Sequence, residues 1–462
     1  MYNPEIYQAR RNALAQKMDK GMILWVGNEE TPRNYPKNTY PFRQDSSFLY
    51  YFGLAEPHLA VWCDLDREQE WLVGEELTID DIIWTGEQPS LADKAAWAGL
   101  SGVIAWDELK SRIDSARADQ APIHFLPPYQ DRIKLLISQW LELNPLTVVE
   151  SSSSRLVQAV IEQRSVKAGI EIDQIEKALE ISYAMVQTAV STIRPGKTEQ
   201  QVLAGLDRCV ADFGSTYSFA PILTIHGEVF HNTHHENQLR QGHLILMDMG
   251  AESPEFYASD ITRTYPVGGR FSTRRRDIYQ VVLQAQLHAI RRIGPGIPYR
   301  DIHLEAAVVI VDGLKELGLM QGNTEEAVMA GAHALFFPHG LGHMLGLDVH
   351  DMENLGEDRV GYNDQIQRSR QFGLSYLRLA KPLQPGYVLT VEPGLYFIPA
   401  LIDHWRATGR FTEFIQYSRL DDYRTFGGIR IEDDVVVTPT GCRVLGRPIP
   451  KSIDEIESAL LS

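Results

Sequence analysis

The sequence predicts an α+β protein of two domains, a smaller α/β one over residues 1–160 and a larger one over 161–462. Three observations lead there. A length of 462 residues exceeds the roughly 100–200 residues of a typical domain. A tract of four serines, Ser151–Ser154, marks a boundary in composition. Beyond residue 215 the texture changes from helical periodicity to short apolar runs bounded by turn residues.

In chain order, Met22–Val26 reads as a buried strand ending at Gly27, and Leu59–Trp62 as a second short apolar run. Trp25, Trp62, Trp71, Trp84, Trp97 and Trp106 crowd this first domain and suit a core or an interface. From Ile161 to Val190 the apolar spacing is helical, with Ile172, Ile175, Ala178, Leu179, Met185, Val186 and Ala189 on one face. Arg194-Pro195-Gly196 stops that helix, and Thr198 with Gln201 forms a capping box for the next. Leu244–Met247, Tyr387–Val391 and Asp434–Thr438 read as strands.

Composition excludes several classes. With 44 Lys+Arg against 61 Asp+Glu and a net charge of −17, the chain is a poor nucleic-acid partner, because phosphate backbones reward basic residues. No run approaches the ~20 apolar residues of a membrane span, and Met1–Arg11 contains no apolar signal region. Cys63, Cys209 and Cys442 are scattered and odd in number, which fits reduced thiols. A cytoplasmic protein is expected.

Histidine is unevenly spread. His226, His231, His234, His235 and His243 fall in one short window, and His333, His339, His343 and His350 in another, out of 14 in all; uniform scatter would put about one in those windows together. Clustering of the one side chain that titrates near neutrality suggests a site. Strand-borne acids accompany it. Asp248 ends an apolar run, and Asp260 follows twelve residues later, as in a hairpin that brings both carboxylates to one point. Glu392 interrupts Thr390–Gly394 and Glu432 interrupts Gly428–Asp433. An acid embedded in an apolar strand is costly unless it is paired or ligates a metal. Carboxylates with one imidazole are hard donors that suit Mn²⁺ or Mg²⁺, with Co²⁺ or Zn²⁺ as substitutes. Four carboxylates balance two divalent ions. The residue after His339 is Gly340, so no His-Glu-x-x-His zinc motif is present.

These residues resemble the metal-dependent pita-bread-fold peptidases, above all the bacterial aminopeptidase P (Xaa-Pro aminopeptidase) family. The matching segments are Met247–Gly250, Ser259–Thr264, His339–Asp351, Thr390–Tyr396 and Gly428–Asp433, with Phe42–Gly53 similar to the family's N-terminal signature. The resemblance implies a pita-bread catalytic domain over 161–462 and a creatinase/aminopeptidase P-type domain over 1–160 that serves substrate access and oligomerisation. It implies five metal ligands, Asp248, Asp260, His343, Glu392 and Glu432, and two divalent ions, most readily manganese. Glu392 would be the general base. His231 and His350 would act beside the scissile peptide, His339 would line the proline pocket, and Arg430 would support the ligand strand through Glu432 or touch the substrate. His234, His235 and His243 have no role in the pattern. The implied substrates are peptides with proline second, and the implied assembly is a homo-oligomer, a dimer or tetramer.

Two spacings depart from that pattern. The Asp248–Asp260 interval is one residue longer than usual, so the hairpin should carry an extra residue or a bulge. Between Glu392 and Glu432 an insertion at 397–427 lengthens a connection beside the site. The alternative activity is that of a prolidase, which uses the same site on Xaa-Pro dipeptides. A pita-bread binding protein without catalysis is disfavoured, because all five ligand positions are filled. A metal-free amidinohydrolase would not need these ligands.

Overall fold

Apolar side chains on both faces of a short strand require cover on both sides, and two such strands organise the first half of the chain. In the computed structural model, which describes residues 2–461, β1 (Met22–Val26) pairs antiparallel with β2 (Ala60–Asp64), and β2 with β3 (Gln69–Val73). β4 (Gly102–Ile104) and β5 (Ile123–His124) add in parallel at the two edges, giving the order β4-β3-β2-β1-β5. Every position of β2 is buried. Trp62 packs on one face with Leu24, Ile104, Leu109 and Ile113.

Helix Ser46–Phe52 is buried throughout. Asp45 caps it by accepting the Phe48 N–H at 2.9 Å, and Trp25 meets the rings of Tyr51 and Phe52 at 4.7 and 5.7 Å. The Phe42–Gly53 signature is therefore core material, as its aromatics require. Two of the tryptophans are exposed, Trp97 at 39% and Trp84 at 86%, the latter on helix Ile79–Thr85, which buries no residue.

The chain divides after Arg164 into two units. The apolar face expected over 161–190 is present, with Ile175, Ala178, Leu179, Met185, Val186 and Ala189 buried, but not in one helix. Helix Ser154–Ser165 ends, Val166–Ala168 is non-helical, and helix Gly169–Thr192 begins anew. The break has a polar cause: the Glu171 carboxylate accepts the Ala168 N–H at 3.0 Å and starts the second helix. The expected capping box at Thr198 opens helix Glu199–Asp212. Arg274-Arg275-Arg276 lies at the start of helix Thr273–Arg292, which pairs with Tyr299–Glu316.

Among the described residues, eight strands of the second unit form three small sheets. β6 (Ile222–Thr224), β7 (Leu244–Met249) and β8 (Ile261–Pro266) make one antiparallel sheet. β9 (Val388–Val391), β12 (Asp433–Thr438) and β13 (Gly441–Val444) make the second, in the order β13-β12-β9. β10 (Gly394–Tyr396) and β11 (Gly428–Arg430) make the third. Helix Thr273–Arg292 packs against β9, β10, β11 and β13. Among the described residues no helix is long and apolar enough to cross a membrane. All three cysteines are free.

Candidate metal centre

Alternation along two paired strands aims the first two acids. Asp248 lies opposite Thr262 in the β7–β8 ladder. Asp260, two residues before Thr262, therefore shares its face. Of the extra residue or bulge expected here, the ladder carries no bulge. Met249 faces Ile261 and, further out, Glu252 faces Ala258 in the same register. The longer interval is taken up in the turn, where Phe256 adopts φ 66°.

The other three ligand candidates come from a loop and two strand ends. Thr390 donates its N–H to the His343 carbonyl at 3.0 Å, and its hydroxyl accepts the His343 N–H at 3.1 Å. Gly342 permits this approach, since a Cβ there would meet the Thr390 carbonyl oxygen at 2.1 Å. Glu392 continues from β9 and donates its N–H to the Leu341 carbonyl at 2.8 Å. Glu432 stands between β11 and β12, its N–H bonded to the Thr262 carbonyl at 3.1 Å.

These placements gather Asp260, His343 and Glu432 so that one ligand atom of each lies within 4.8 Å of the others, all buried. His343 Nδ1 bonds the Met344 carbonyl at 3.1 Å, which assigns that nitrogen the proton and leaves Nε2 a lone pair. Nε2 faces Asp260 Oδ2 at 3.4 Å and Glu392 Oε1 at 3.7 Å. A lone pair facing carboxylate oxygens calls for a cation between them.

The acids have the same requirement. Burial first, then Asp248, Asp434 and Glu392, push the Asp260 carboxyl well above the usual range. Burial, then Asp260 and Glu392, do the same to Glu432, and burial raises Glu392. Oδ1 of Asp248 and Oδ1 of Asp260 are buried without a hydrogen-bond partner. The donor set fits a divalent ion: hard oxygens, one oriented imidazole and an uncompensated negative charge.

The chain's two halves match two family models, residues 173–439 that of metallopeptidase family M24 and residues 7–124 that of the aminopeptidase P N-terminal domain. The chain belongs to metallopeptidase family M24. Among relatives, it is 29% identical to a human Xaa-Pro dipeptidase over 98% of this chain and 93% of that one. It is 31% identical to a probable Xaa-Pro aminopeptidase of Emericella nidulans, over 93% of this chain and 85% of the other. Its structure is similar to that of an Escherichia coli aminopeptidase P variant in complex with substrate, with TM-score 0.81 and 29% identity, over 100% of this chain and 98% of that one. The two-domain α+β architecture is the aminopeptidase P fold.

Around these acids lies a fixed polar frame. Arg430 ion-pairs with Asp248 and donates from Nη1 to the Tyr396 hydroxyl at 2.9 Å and from Nε to Thr262 Oγ1 at 3.2 Å. It reaches Glu432 only indirectly: Thr262 donates its hydroxyl to Glu432 Oε2 at 2.6 Å. His339 Nε2 bonds the Tyr396 hydroxyl at 2.8 Å and Nδ1 the Gly340 carbonyl at 2.7 Å. Arginine can only donate, so the proton order runs from Arg430 to Tyr396, and from Tyr396 to His339 Nε2. Burial, with Arg430 nearby, drops the His339 pKa to about 3, so its imidazole is neutral. Phe230 and Phe337 meet its ring at 5.7 and 5.0 Å, both edge-on.

The remaining sequence candidates sit at different depths. His350 stands over His343, ring centroids 4.3 Å apart, with Nδ1 at 3.4 Å from Glu353 Oε2 and a side chain 39% exposed. His231 is exposed and follows Phe230 in the connection between β6 and β7. His234, exposed, and His235, bonded to the Leu223 carbonyl at 3.1 Å, lie on the same connection. His243 has its pKa lowered by burial and by Arg275.

Five residues were not foreseen as site residues: Thr262, Tyr396, Phe230, Phe337 and Asp434. Asp434 accepts the Asp260 N–H at 3.0 Å. Thr262 was detectable, because it stands two positions from Asp260 and so shares its strand face. The 397–427 insertion leaves from Tyr396 and returns at Gly428, which face each other across the β10–β11 ladder. It forms helix Pro399–Ala407 and closes on itself through a bidentate Arg424–Asp403 pair at 2.6 and 2.8 Å.

Proposed function

We propose that this chain is a dinuclear metallopeptidase that removes the N-terminal residue from peptides with proline in the second position. The observation that carries this reading is the buried Asp260–His343–Glu432 set, flanked by Glu392 and Asp248 on segments that match the family's motifs. Relatives named Xaa-Pro aminopeptidase over most of the chain support the substrate class.

In this reading Asp248, Asp260, His343, Glu392 and Glu432 hold two divalent ions, manganese by the hardness of the donors, with cobalt, zinc or magnesium as substitutes. When bound, such ions polarise a carbonyl and lower the pKa of water. The chain's own residues do the rest. Glu392, whose carboxyl is raised by burial, is suited to accept a proton as general base. His350 and His231 border the peptide group from the loops that carry them. Neutral His339, held by Tyr396 and Gly340 between Phe230 and Phe337, offers an apolar ring wall for proline. A bond to proline nitrogen has no N–H to grip, so recognition falls to ring packing rather than to a hydrogen bond. Arg430 holds Asp248 in place.

The N-terminal domain over 1–160 serves substrate access and assembly into a dimer or tetramer, and the protein works in the cytoplasm. A second reading, prolidase activity on Xaa-Pro dipeptides, has support from the likeness to a human Xaa-Pro dipeptidase.

One assay separates these readings: hydrolysis of Ala-Pro, Ala-Pro-Ala and Ala-Ala-Ala by chelated protein, with and without added Mn²⁺. Manganese-restored release of alanine from Ala-Pro-Ala, with Ala-Ala-Ala untouched, is the expected result. Cutting of Ala-Pro alone makes the protein a prolidase. No cutting with any divalent ion sinks both.

A further inference from the structure

A buried ion pair stands behind the site, and neither the ligand set nor the substrate pocket uses it. Lys167 Nζ meets Asp351 Oδ2 at 2.7 Å, and each side chain is only 1% exposed. Two charges taken out of water at this depth carry a desolvation cost that an apolar pair would avoid, so the pair's place in the fold matters more than its stability.

Lys167 lies in the short break before helix Gly169–Thr192, where its N–H bonds the Gly386 carbonyl at 2.8 Å. Asp351 closes the loop that begins after His343. Its N–H bonds the Met344 carbonyl at 3.0 Å, and its Oδ1 accepts the Asp348 N–H at 3.4 Å. Gly346 leaves room for the carboxylate, since a Cβ there would meet Asp351 Oδ2 at 2.4 Å. The same helix end also holds the β7–β8 turn, where the Tyr257 hydroxyl bonds Glu171 Oε1 at 3.0 Å. Ala258 in turn bonds the Gly346 carbonyl at 2.8 Å. One end of one helix thus fixes both the turn before Asp260 and the loop that runs from His343 to His350.

His350 precedes Asp351 directly, and its ring stands 4.3 Å from the His343 ring. Its side chain is 39% exposed, so packing alone does not hold it. We propose that the Lys167–Asp351 pair is a positioning device for the reaction: it locks the 344–351 loop so that the His350 imidazole stays against His343 and faces the substrate. This inference rests on the reading of His350 given above.

The test uses the full chain loaded with manganese. Lys167→Met and Asp351→Asn are made singly and together, each with His350 present and with His350→Ala. Each single variant is expected to lower kcat on the peptide that the wild type cuts by about tenfold or more, with KM and bound metal within roughly twofold. The double variant should be no worse than the poorer single, because the two act as a unit. With His350→Ala in place, the same substitutions should cost less than about twofold. The single variants are expected to lower Tm, because each leaves a buried charge uncompensated; a loss of kcat that persists in full without His350, or that follows lost metal, overturns the proposal.

A crystal structure of the Lys167→Met protein reads the placement without reference to activity. The His350 ring is expected away from His343, and a ring still in its present place overturns the proposal. If Lys167→Met does not fold, Asp351→Asn carries both arms. A wild type inactive on every Xaa-Pro peptide defeats the functional reading, and the crystallographic arm then decides this one.

Discussion

The hydroxyl of Thr262 shows how much of the centre depends on a single uncharged group. It is fully buried, donates to Glu432 Oε2 and accepts from Arg430 Nε. Thr262→Val keeps the shape and removes both bonds, leaving a buried carboxylate oxygen and a guanidinium N–H unpaired. Outer-shell partners of this kind typically cost about 10–100-fold in metal affinity or activity, and that is the loss expected in kcat/KM and in a manganese titration. Thr262→Ser keeps the hydroxyl and should retain most of both. Equal activity of the valine and serine variants would show that Glu432 needs no such support. At this scale the sequence was legible where residues alternate along strands. Asp248, Asp260, Glu392 and Glu432 interrupt apolar runs, and that cost is itself the signal. Phe230, Tyr396 and Phe337 were not legible as a cage around His339, since three segments far apart in sequence meet there: the loop of Phe230, the stretch that holds Phe337 and His339, and the end of β10.

Elements were read correctly where a period or a cap governs them. β7, β9 and β12 lie where their apolar runs placed them, and Thr198 caps the helix it was expected to cap. The break at Val166–Ala168 escaped because alanine has no capping side chain, and the group that starts the next helix is Glu171 reaching backward. The contact that joins strands across the centre also lies between elements, beyond any local pattern. Arg263, 1% exposed, donates to the carbonyls of Thr262, Glu432, Ile449 and Pro450 and ion-pairs with Asp433 at 2.7 Å. It ties β8 to the start of β12 and to the segment that follows β13. Removing one partner of a buried pair leaves the other uncompensated, so Arg263→Met should lower the unfolding free energy by about 3–5 kcal/mol in urea denaturation. A loss under ~1 kcal/mol, the range of an exposed ion pair, would mean that Lys451, which also pairs with Asp433, suffices alone.

For the whole molecule, the proposed reading has protons and a divalent ion compete for the same carboxylates, and the sign of that competition can be worked out. Asp260, Glu392 and Glu432 have folded pKa values above their ordinary ones. In metal-free protein the folded state therefore binds more protons than the unfolded chain, and stability falls as pH rises from about 4 through those raised values. Metal requires the same groups deprotonated, so the stability it adds grows with pH. Buried histidines act in the opposite direction. Burial sets His333 at about 4 and His339 at about 3. As pH falls below ~6.5 the unfolded chain takes up their protons first, and the fully buried His333 alone costs up to about 1.4 kcal/mol per pH unit. That term is common to metal-loaded and metal-free protein and cancels in their difference. The expected result is a Tm gap between manganese-loaded and chelated protein that widens steadily from pH 5 to pH 8. In Glu432→Gln, which keeps the shape but carries no charge, the gap should shrink at every pH while the chelated Tm stays equal or rises, because a repelling buried acid is gone. A gap independent of pH, or a Glu432→Gln protein that keeps it in full, would show that the buried acids are not where the ion binds.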